Sequence, residues 1–382
     1  LGSVLGARYP ALGANPVPDT CLLPYCRSAL LPYCGGRFMR AVVIREHGGP
    51  EVLRMEDRPV PDVGPTDIRV RVRAVALNYL DLWTRRGIPG VRLPLPIVPG
   101  ADVAGVVDAV GDQVRYVKPG DEVVLHPAVS CGVCRFCLQG ADNRCREYKV
   151  LGHRRDGGYA DFIVVPAINA LPKPAALTWE EAASMPLVFL TAWHMLVTLA
   201  RLQPAETVLV MAAGSGVGIA AVQIARMIGA RVIATAGTEA KRQRLQALGV
   251  DHVVDHTDPA WPQRVLELTH RAGVDVVFEH VGEAVWDSVL QCLGWGGRLV
   301  TCGATTGAEV RLNLRVLFAK QWQIYGSYMG TRGELLALWP LVERGVFQPV
   351  VDRVFALEEA AQAHAYMESR QHFGKVVLRV SE

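Results

Sequence analysis

From Met39 onward the hydrophobic and polar positions fall into two regimes. Met39-Arg-Ala-Val-Val-Ile44 opens as a strand, and Ile68-Arg-Val-Arg-Val-Arg-Ala74 alternates apolar with charged residues, the period of a half-buried strand. Val103–Val110 and Glu122–Leu125 read as further strands, and Pro99-Gly100 and Pro119-Gly120 as turns between them. Near Leu171 the period changes. Trp179 to Leu199 reads as helix, interrupted near Pro186. Strands at 207–212, 231–235, 253–254, 274–278 and 298–301 then alternate with helices at 216–228, 239–248, 261–269 and 284–293. Apolar strands separated by helices imply a parallel sheet covered on both faces. Trp322–Tyr328 adds a sixth strand. The C-terminal stretch carries one amphipathic helix around Glu358–Met367 and a strand, Lys375–Val380, that reads as a return to the first region. The fold class is α/β: a β-rich domain followed by a doubly wound parallel sheet.

Residues 1–38 fit neither regime. They are rich in Pro, Leu, Gly and Cys and hold no helical or strand period. A secretory signal needs a basic start and an unbroken apolar core. Here the first basic residue is Arg8, and Pro10, Pro16, Pro18, Pro24 and Pro32 interrupt the residues after it. The stretch is expected to be a disordered or non-native leader, with the fold beginning at Met39. The alternative is a disordered arm that exposes Cys21, Cys26 and Cys34.

Length and composition narrow the function. A chain of 382 residues exceeds what one core organises and implies two domains. Half the residues are hydrophobic. The formal charge is +3 with both signs dispersed, so no basic face points to nucleic acid. No run of about 18 apolar residues is free of charges and breakers, so no membrane span is expected. Thiols gathered as ligands, without a disulfide framework, suit a reducing, cytoplasmic setting.

Two stretches carry chemistry. Cys131, Cys134, Cys137 and Cys145 have the spacing C-x2-C-x2-C-x7-C, and Gly132 and Gly140 let the short chain fold back on itself. Four thiolates close a tetrahedral shell around one zinc and leave no position open for water or substrate, which is a structural role. The rival readings are an iron–sulfur cluster and four unrelated buried cysteines. The second stretch is Met211-Ala-Ala-Gly214-Ser215-Gly216-Val217-Gly218, between a strand and a helix. Such glycines allow a tight turn and close approach of backbone N–H groups to a pyrophosphate at a helix N-terminus. The rival is a glycine-rich packing turn. At the end of the next strand, where an acid usually holds the ribose of NAD, stands Ala236. Thr238 and Lys241 nearby suit a 2′-phosphate, which favours NADPH over NADH. Alternatively Lys241 and Arg242 are a solvated helix face, and Glu239 argues mildly against an anion.

The chain from Met39 to Glu382 resembles the medium-chain dehydrogenase/reductase superfamily. The resemblance rests on Gly48-Gly-Pro-Glu-Val-Leu53, Asn78-Tyr-Leu-Asp81, Pro99-Gly100 with Gly105-Val-Val, Lys118-Pro-Gly-Asp-Glu-Val123, Asp156-Gly-Gly-Tyr-Ala160, Gly374-Lys-Val-Val and the cysteine lobe. It implies a GroES-like catalytic domain (39–170 plus 329–382, with the lobe at 131–145), a Rossmann domain (171–328) and an active site between them. Zinc alcohol dehydrogenases of that family hold a catalytic zinc at positions that fall here on Asn78, Ala101 and Leu187, none of them a normal zinc ligand. Asp102 and Asp81 take the places of acids near that metal. No catalytic zinc is therefore expected, and the Asn-x-x-Asp form is similar to the quinone oxidoreductase branch, which normally lacks the cysteine lobe.

The resemblance implies hydride transfer from NADPH to a quinone or an α,β-unsaturated carbonyl. Asn78 would orient ligand or nicotinamide, or merely cap a helix; Tyr79 would donate to a developing oxyanion, or merely pack. Asp81 is a supporting acid. His153 is a candidate proton donor, or a stray metal ligand with Asp102, against a plain surface loop. Thr191 and Gly303 join the cofactor residues, while His194 packs or caps. The segment Trp322–Tyr328 suggests a homodimer or homotetramer paired through a sheet edge. Two other functions stay open: an alcohol or aldehyde dehydrogenase with an unorthodox site, and a non-catalytic nucleotide-binding homologue.

Overall fold

Side-chain alternation builds the first layer. In the computed structural model, which describes residues 37–381, the N-terminal strands are β1 (Phe38–Ile44), β2 (Leu53–Pro59) and β3 (Asp67–Ala76), followed by helix α1 (Tyr79–Arg86). Then come β4 (Asp102–Val110), β5 (Glu122–Leu125), β6 (Ala128–Val129), the short helix α2 (Arg135–Leu138), β7 (Lys149–Val150), β8 (Phe162–Pro166) and β9 (Ala170–Pro172). Ile68, Val70, Val72 and Ala74 of β3 are buried. The arginines between them face outward, and Arg69 and Arg71 hold Asp108 of β4 at 2.7 and 3.3 Å. The leader and its Cys21, Cys26 and Cys34 lie outside the described residues.

Helices α3 (Trp179–Ala183) and α4 (Pro186–Trp193) lead into the second layer. Pro186 opens α4 at its first turn, where a missing N–H costs nothing, and α4 continues as a π-helical turn over His194–Leu199. The combined run Trp179–Leu199 is 21 residues long and apolar enough to cross a membrane, but 72% of its most apolar 18-residue window is buried within this fold. It serves as a core helix.

The second sheet comprises β10 (Thr207–Val210), β11 (Arg231–Thr235), β12 (His252–Val254), β13 (Val274–Glu279), β14 (Leu293–Thr301) and β15 (Gln323–Gly326). Its order is β12-β11-β10-β13-β14-β15, all parallel. Between them run α5 (Gly216–Ile228), α6 (Glu239–Ala247), α7 (Trp261–Leu268), α8 (Trp286–Cys292) and α9 (Leu314–Ala319). Val208 and Val210 pack on one face with α4 and α5, while Leu209 and Met211 pack on the other with Trp261, Val265 and Val289. Apolar residues on both faces account for the unbroken hydrophobic strands. This strand order reverses between β10 and β13, so the turn after β10 sits at the topological switch point where doubly wound sheets bind ligands.

The C-terminal stretch holds more than the one helix and one strand expected. Helix α10 (Arg332–Glu343), strand β16 (Val351–Ala356), α11 (Ala360–Glu368) and β17 (Lys375–Arg379) are all present. Gly333 and Pro340 hide α10 from a propensity reading. Its register is set instead by Leu335, Leu338, Trp339 and Val342, buried against the α4–α5 layer, and by a Thr331/Glu334 capping box. Strand β17 pairs antiparallel with β3 and parallel with β16, in a seven-stranded sheet with β4, β5, β8 and β9.

Candidate functional site

The cysteine lobe is built by tight turns. Gly132 and Gly140 adopt φ of 75° and 74°, a region costly for other residues. The four Sγ atoms lie within 4.8 Å of one another, with Cys131–Cys137 at 3.9 Å and Cys134–Cys137 at 3.6 Å. A regular tetrahedron of thiolates about 2.3 Å from a zinc has edges of about 3.8 Å. The donor set and its size therefore fit one such ion. Backbone N–H groups of Val133 and Cys134 draw the Cys131 thiol down to about 6, while burial pushes Cys145 up to about 11. The lobe is tied to the start of α10. Arg332 N–H donates to Asp142 at 3.0 Å, Asn143 Nδ2 to the Tyr328 carbonyl at 3.3 Å, and Tyr148 Oη to the Gly330 carbonyl at 3.3 Å.

The glycine turn after β10 opens α5. Ser215 caps the helix by accepting from Gly218 N–H at 3.1 Å, and its hydroxyl also meets His280 Nε2 at 3.3 Å. A Cβ on Gly218 would come within 2.7 Å of Ala213 Cα, so only glycine fits there. The Gly214 carbonyl accepts from Gly374 N–H at 2.9 Å, which brings the C-terminal strand onto the turn. A Cβ on Gly216 would meet Lys375 Cδ at 2.7 Å; its absence lets the lysine stem pass. Val217 follows it in the first turn of the helix. Gly303 comes after β14, where its missing side chain admits the His280 carbonyl. Thr191, on α4, is buried with no hydrogen-bond partner for its hydroxyl among the described residues. A cradle closed to side chains at a helix N-terminus, with an orphaned hydroxyl nearby, fits a dinucleotide.

Lys375 reaches past Gly216 into a buried network. Its ammonium donates to Asn78 Oδ1 at 2.6 Å and Asp102 Oδ2 at 3.1 Å. Asn78 Nδ2 donates to Asp102 Oδ2 at 2.9 Å, and Leu187 N–H to Asp102 Oδ1 at 2.8 Å. Asp102 is fully buried and the Lys375 side chain is 5% exposed. A buried charge pair persists when both partners are hydrogen-bonded in this way. Positions 78 and 187, joined through Asp102 and flanked by buried Ala101, thus form a closed polar knot. Leu80, Ala101, Ala128, Tyr148, Val150, Leu187 and Met329 make an apolar wall beside it.

Asn78 stands at the N-cap of α1, but its side chain does not cap. Only the reciprocal half of the box forms: Asp81 accepts from Asn78 N–H at 2.7 Å and from Gly100 N–H at 3.0 Å. Asp81 thereby clamps the two segments that carry Asn78 and Ala101. Burial raises its carboxyl to about 7, opposed by those two N–H groups and by the Lys375 charge. Tyr79 is half-buried and meets Trp83 edge-on with ring centroids 5.6 Å apart. His153 is buried, hydrogen-bonded through Nδ1 to Thr84 Oγ1 at 2.8 Å, and driven down to about 4 by burial, with Arg154 adding. It does not join Asp102. Thr238 caps α6, accepting from Lys241 N–H at 3.4 Å, and Lys241 Nζ donates to the Arg370 carbonyl at 2.7 Å. His194 pairs with Glu334 at 2.8 Å. The residue missed by sequence is Lys375. A lysine opening an otherwise apolar strand just after a glycine was the available signal.

A two-domain nucleotide-dependent oxidoreductase is the class of protein that this fold and turn define. Residues 64–175 match the family described as alcohol dehydrogenase GroES-like domain, and residues 216–344 that described as zinc-binding dehydrogenase. The quinone oxidoreductase of Rattus norvegicus is 31% identical over 90% of this chain and 98% of its own. A crystal structure of an NAD-dependent alcohol dehydrogenase is 50% identical, with a TM-score of 0.87 over 90% of this chain and 100% of that one. A crotonyl-CoA carboxylase/reductase structure is 29% identical, with a TM-score of 0.84 over 90% and 88%. The chain belongs to the medium-chain dehydrogenase/reductase superfamily, in its zinc alcohol dehydrogenase-like and quinone oxidoreductase-like branch.

Proposed function

We propose that this oxidoreductase transfers hydride between a nicotinamide nucleotide and a quinone or carbonyl-conjugated alkene, without a catalytic metal. The reading is supported by the knot: at Asn78, Ala101 and Leu187, where the family resemblance puts catalytic-zinc ligands, stand an amide already bonded to Asp102 and Lys375 and two apolar side chains. Quinones and enones accept hydride readily because charge delocalises onto oxygen, so they do not need a Lewis acid. The apolar wall around Leu80, Leu187 and Met329 suits such substrates. The names of the rat relative and the crotonyl-CoA enzyme point the same way.

When bound, the nucleotide supplies the hydride. This chain's residues bind and orient. The α5 N-terminus, Ser215 and the glycines hold phosphate, Thr191 offers its unused hydroxyl to the nicotinamide side, and Asp81 fixes Asn78 against Gly100. Two bonds from the Lys375 ammonium are used within the knot, which leaves its third N–H for an anion on the turn. Phosphate binding is thereby coupled to the position of Asn78. The four cysteines hold one structural zinc. Strand β15, at the edge of its sheet beside exposed Trp295, Leu314 and Phe318, pairs two subunits.

An alcohol dehydrogenase reading is favoured by the name of the 50%-identical structure. Steady-state turnover separates the two: NADPH and NADH against a quinone and enone panel, NAD+ and NADP+ against an alcohol panel. Reductant oxidation that depends on quinone or enone supports the proposal, and turnover with alcohols alone overturns it.

A further inference from the structure

Beside the nucleotide turn, the ends of β11 and β12 bring His256 over Gly237. A Cβ on Gly237 would lie 3.1 Å from His256 Nε2. The ring is held from its other side, with Nδ1 at 3.1 Å from Thr235 Oγ1, a hydroxyl that also accepts Ala212 N–H at 2.9 Å. No protein group among the described residues bonds Nε2. On α6, Arg242 is spent on Asp255 and Glu239, and Arg244 on Asp352. Lys241 is the α6 cation whose partner is a carbonyl rather than an acid. Its stem lies 3.4 Å from where a Gly214 Cβ would stand. No carboxylate stands at Ala236 or Gly237 to take a ribose hydroxyl pair.

We propose that His256 Nε2 and Lys241 Nζ form a phosphate-selective subsite at the adenosine end of the nucleotide turn, in which His256 is a specificity-determining residue that takes up a proton when a 2′-phosphorylated nucleotide binds. This rests on the nucleotide reading above and deepens it. His256 is neutral near pH 7: burial first, then Lys241 and Arg242 from α6 and His280 beyond β13, hold the ring below its ordinary range, with Asp255 acting the other way. A phosphate dianion within reach reverses that balance and draws a proton from solvent onto the ring. NADH brings no such charge.

The test is calorimetric titration of the full chain with NADPH and with NADH at pH 7.5, in two buffers of different ionisation heat, which counts protons without requiring turnover. The second ionisation of a phosphate monoester lies near 6, so binding of the ligand's own dianion releases protons if it releases or takes up any. The expected result is net uptake with NADPH, none with NADH, and loss of the uptake in His256→Asn. Lys241→Met should weaken NADPH by about tenfold or more and NADH by far less. Equal proton counts for the two nucleotides, or uptake that persists in His256→Asn, overturns the subsite while leaving the nucleotide reading intact. Failure of both nucleotides to bind overturns both.

Discussion

The cysteine lobe and the Asn78–Asp102–Lys375 knot solve opposite problems. The lobe gathers four ligands from fifteen consecutive residues and leaves them facing one another, with Cys131 exposed. The knot gathers residues 78, 102, 187 and 375 from separate parts of the chain and buries the side chains of Asn78, Asp102 and Lys375. One is a small local device whose four thiols fit a single metal ion. The other is a charge pair completed by the fold itself, on which the proposed function places both nucleotide and substrate. Losing the metal should loosen a lobe; losing the pair should reach everything.

The largest effect is expected at Lys375. Lys375→Met leaves the Asp102 carboxylate buried without its cation, which should cost about 3–5 kcal/mol and abolish tight nucleotide binding. Denaturant unfolding and a nucleotide titration check both. The double variant Lys375→Met/Asp102→Leu should regain much of the stability but not the affinity. Regained affinity would mean that Lys375 has no part in the nucleotide site.

Next is acid. His153, His372 and His364 are held down by burial, to about 4, about 4 and about 3. Their folded values lie below the unfolded one near 6.5, so their stabilisation is present above about 6.5 and lost as pH falls through 4. At about 1.4 kcal/mol per unit, each ring loses on the order of 3 to 5 kcal/mol over that range. Asp81 has the opposite sign. Raised to about 7, it contributes most below 4 and progressively less as pH rises through 7. Asp81→Asn removes a contribution that falls with pH, so its melting temperature should climb more steeply between pH 4 and 7 than the parent's, with the histidine-driven acid limb kept.

The smallest global effect should come from the lobe. Mild chelation, or Cys134→Ser, should raise hydrogen exchange across 131–145 while the melting temperature and nucleotide affinity stay close to the parent. Global unfolding would erase the contrast between the two regions.

The same contrast governs how much was legible in the sequence. The cysteines, the glycine turn and the alternating strands are local patterns, and the parallel sheet together with β3, β4, β5 and β17 of the other sheet could be read from them. Helix α10 was not, because Gly333 and Pro340 argue against it, while the Thr331/Glu334 capping box and the buried Leu335–Leu338–Trp339–Val342 face argue for it. Lys375 looked like the polar start of a strand. Its role depends on Gly216 giving it room and on Asp102 and Asn78 standing far away in sequence, and no window along the chain contains that information. His153 had the right residue type near the cleft, but Thr84 holds it.

The most direct test of the central claim is zinc stoichiometry on protein that is turning over a quinone or enone. One zinc per chain is the predicted result, with activity indifferent to added metal. Two zincs per chain, with activity rising and falling with the second, would contradict the claim and place a catalytic ion where the knot now stands.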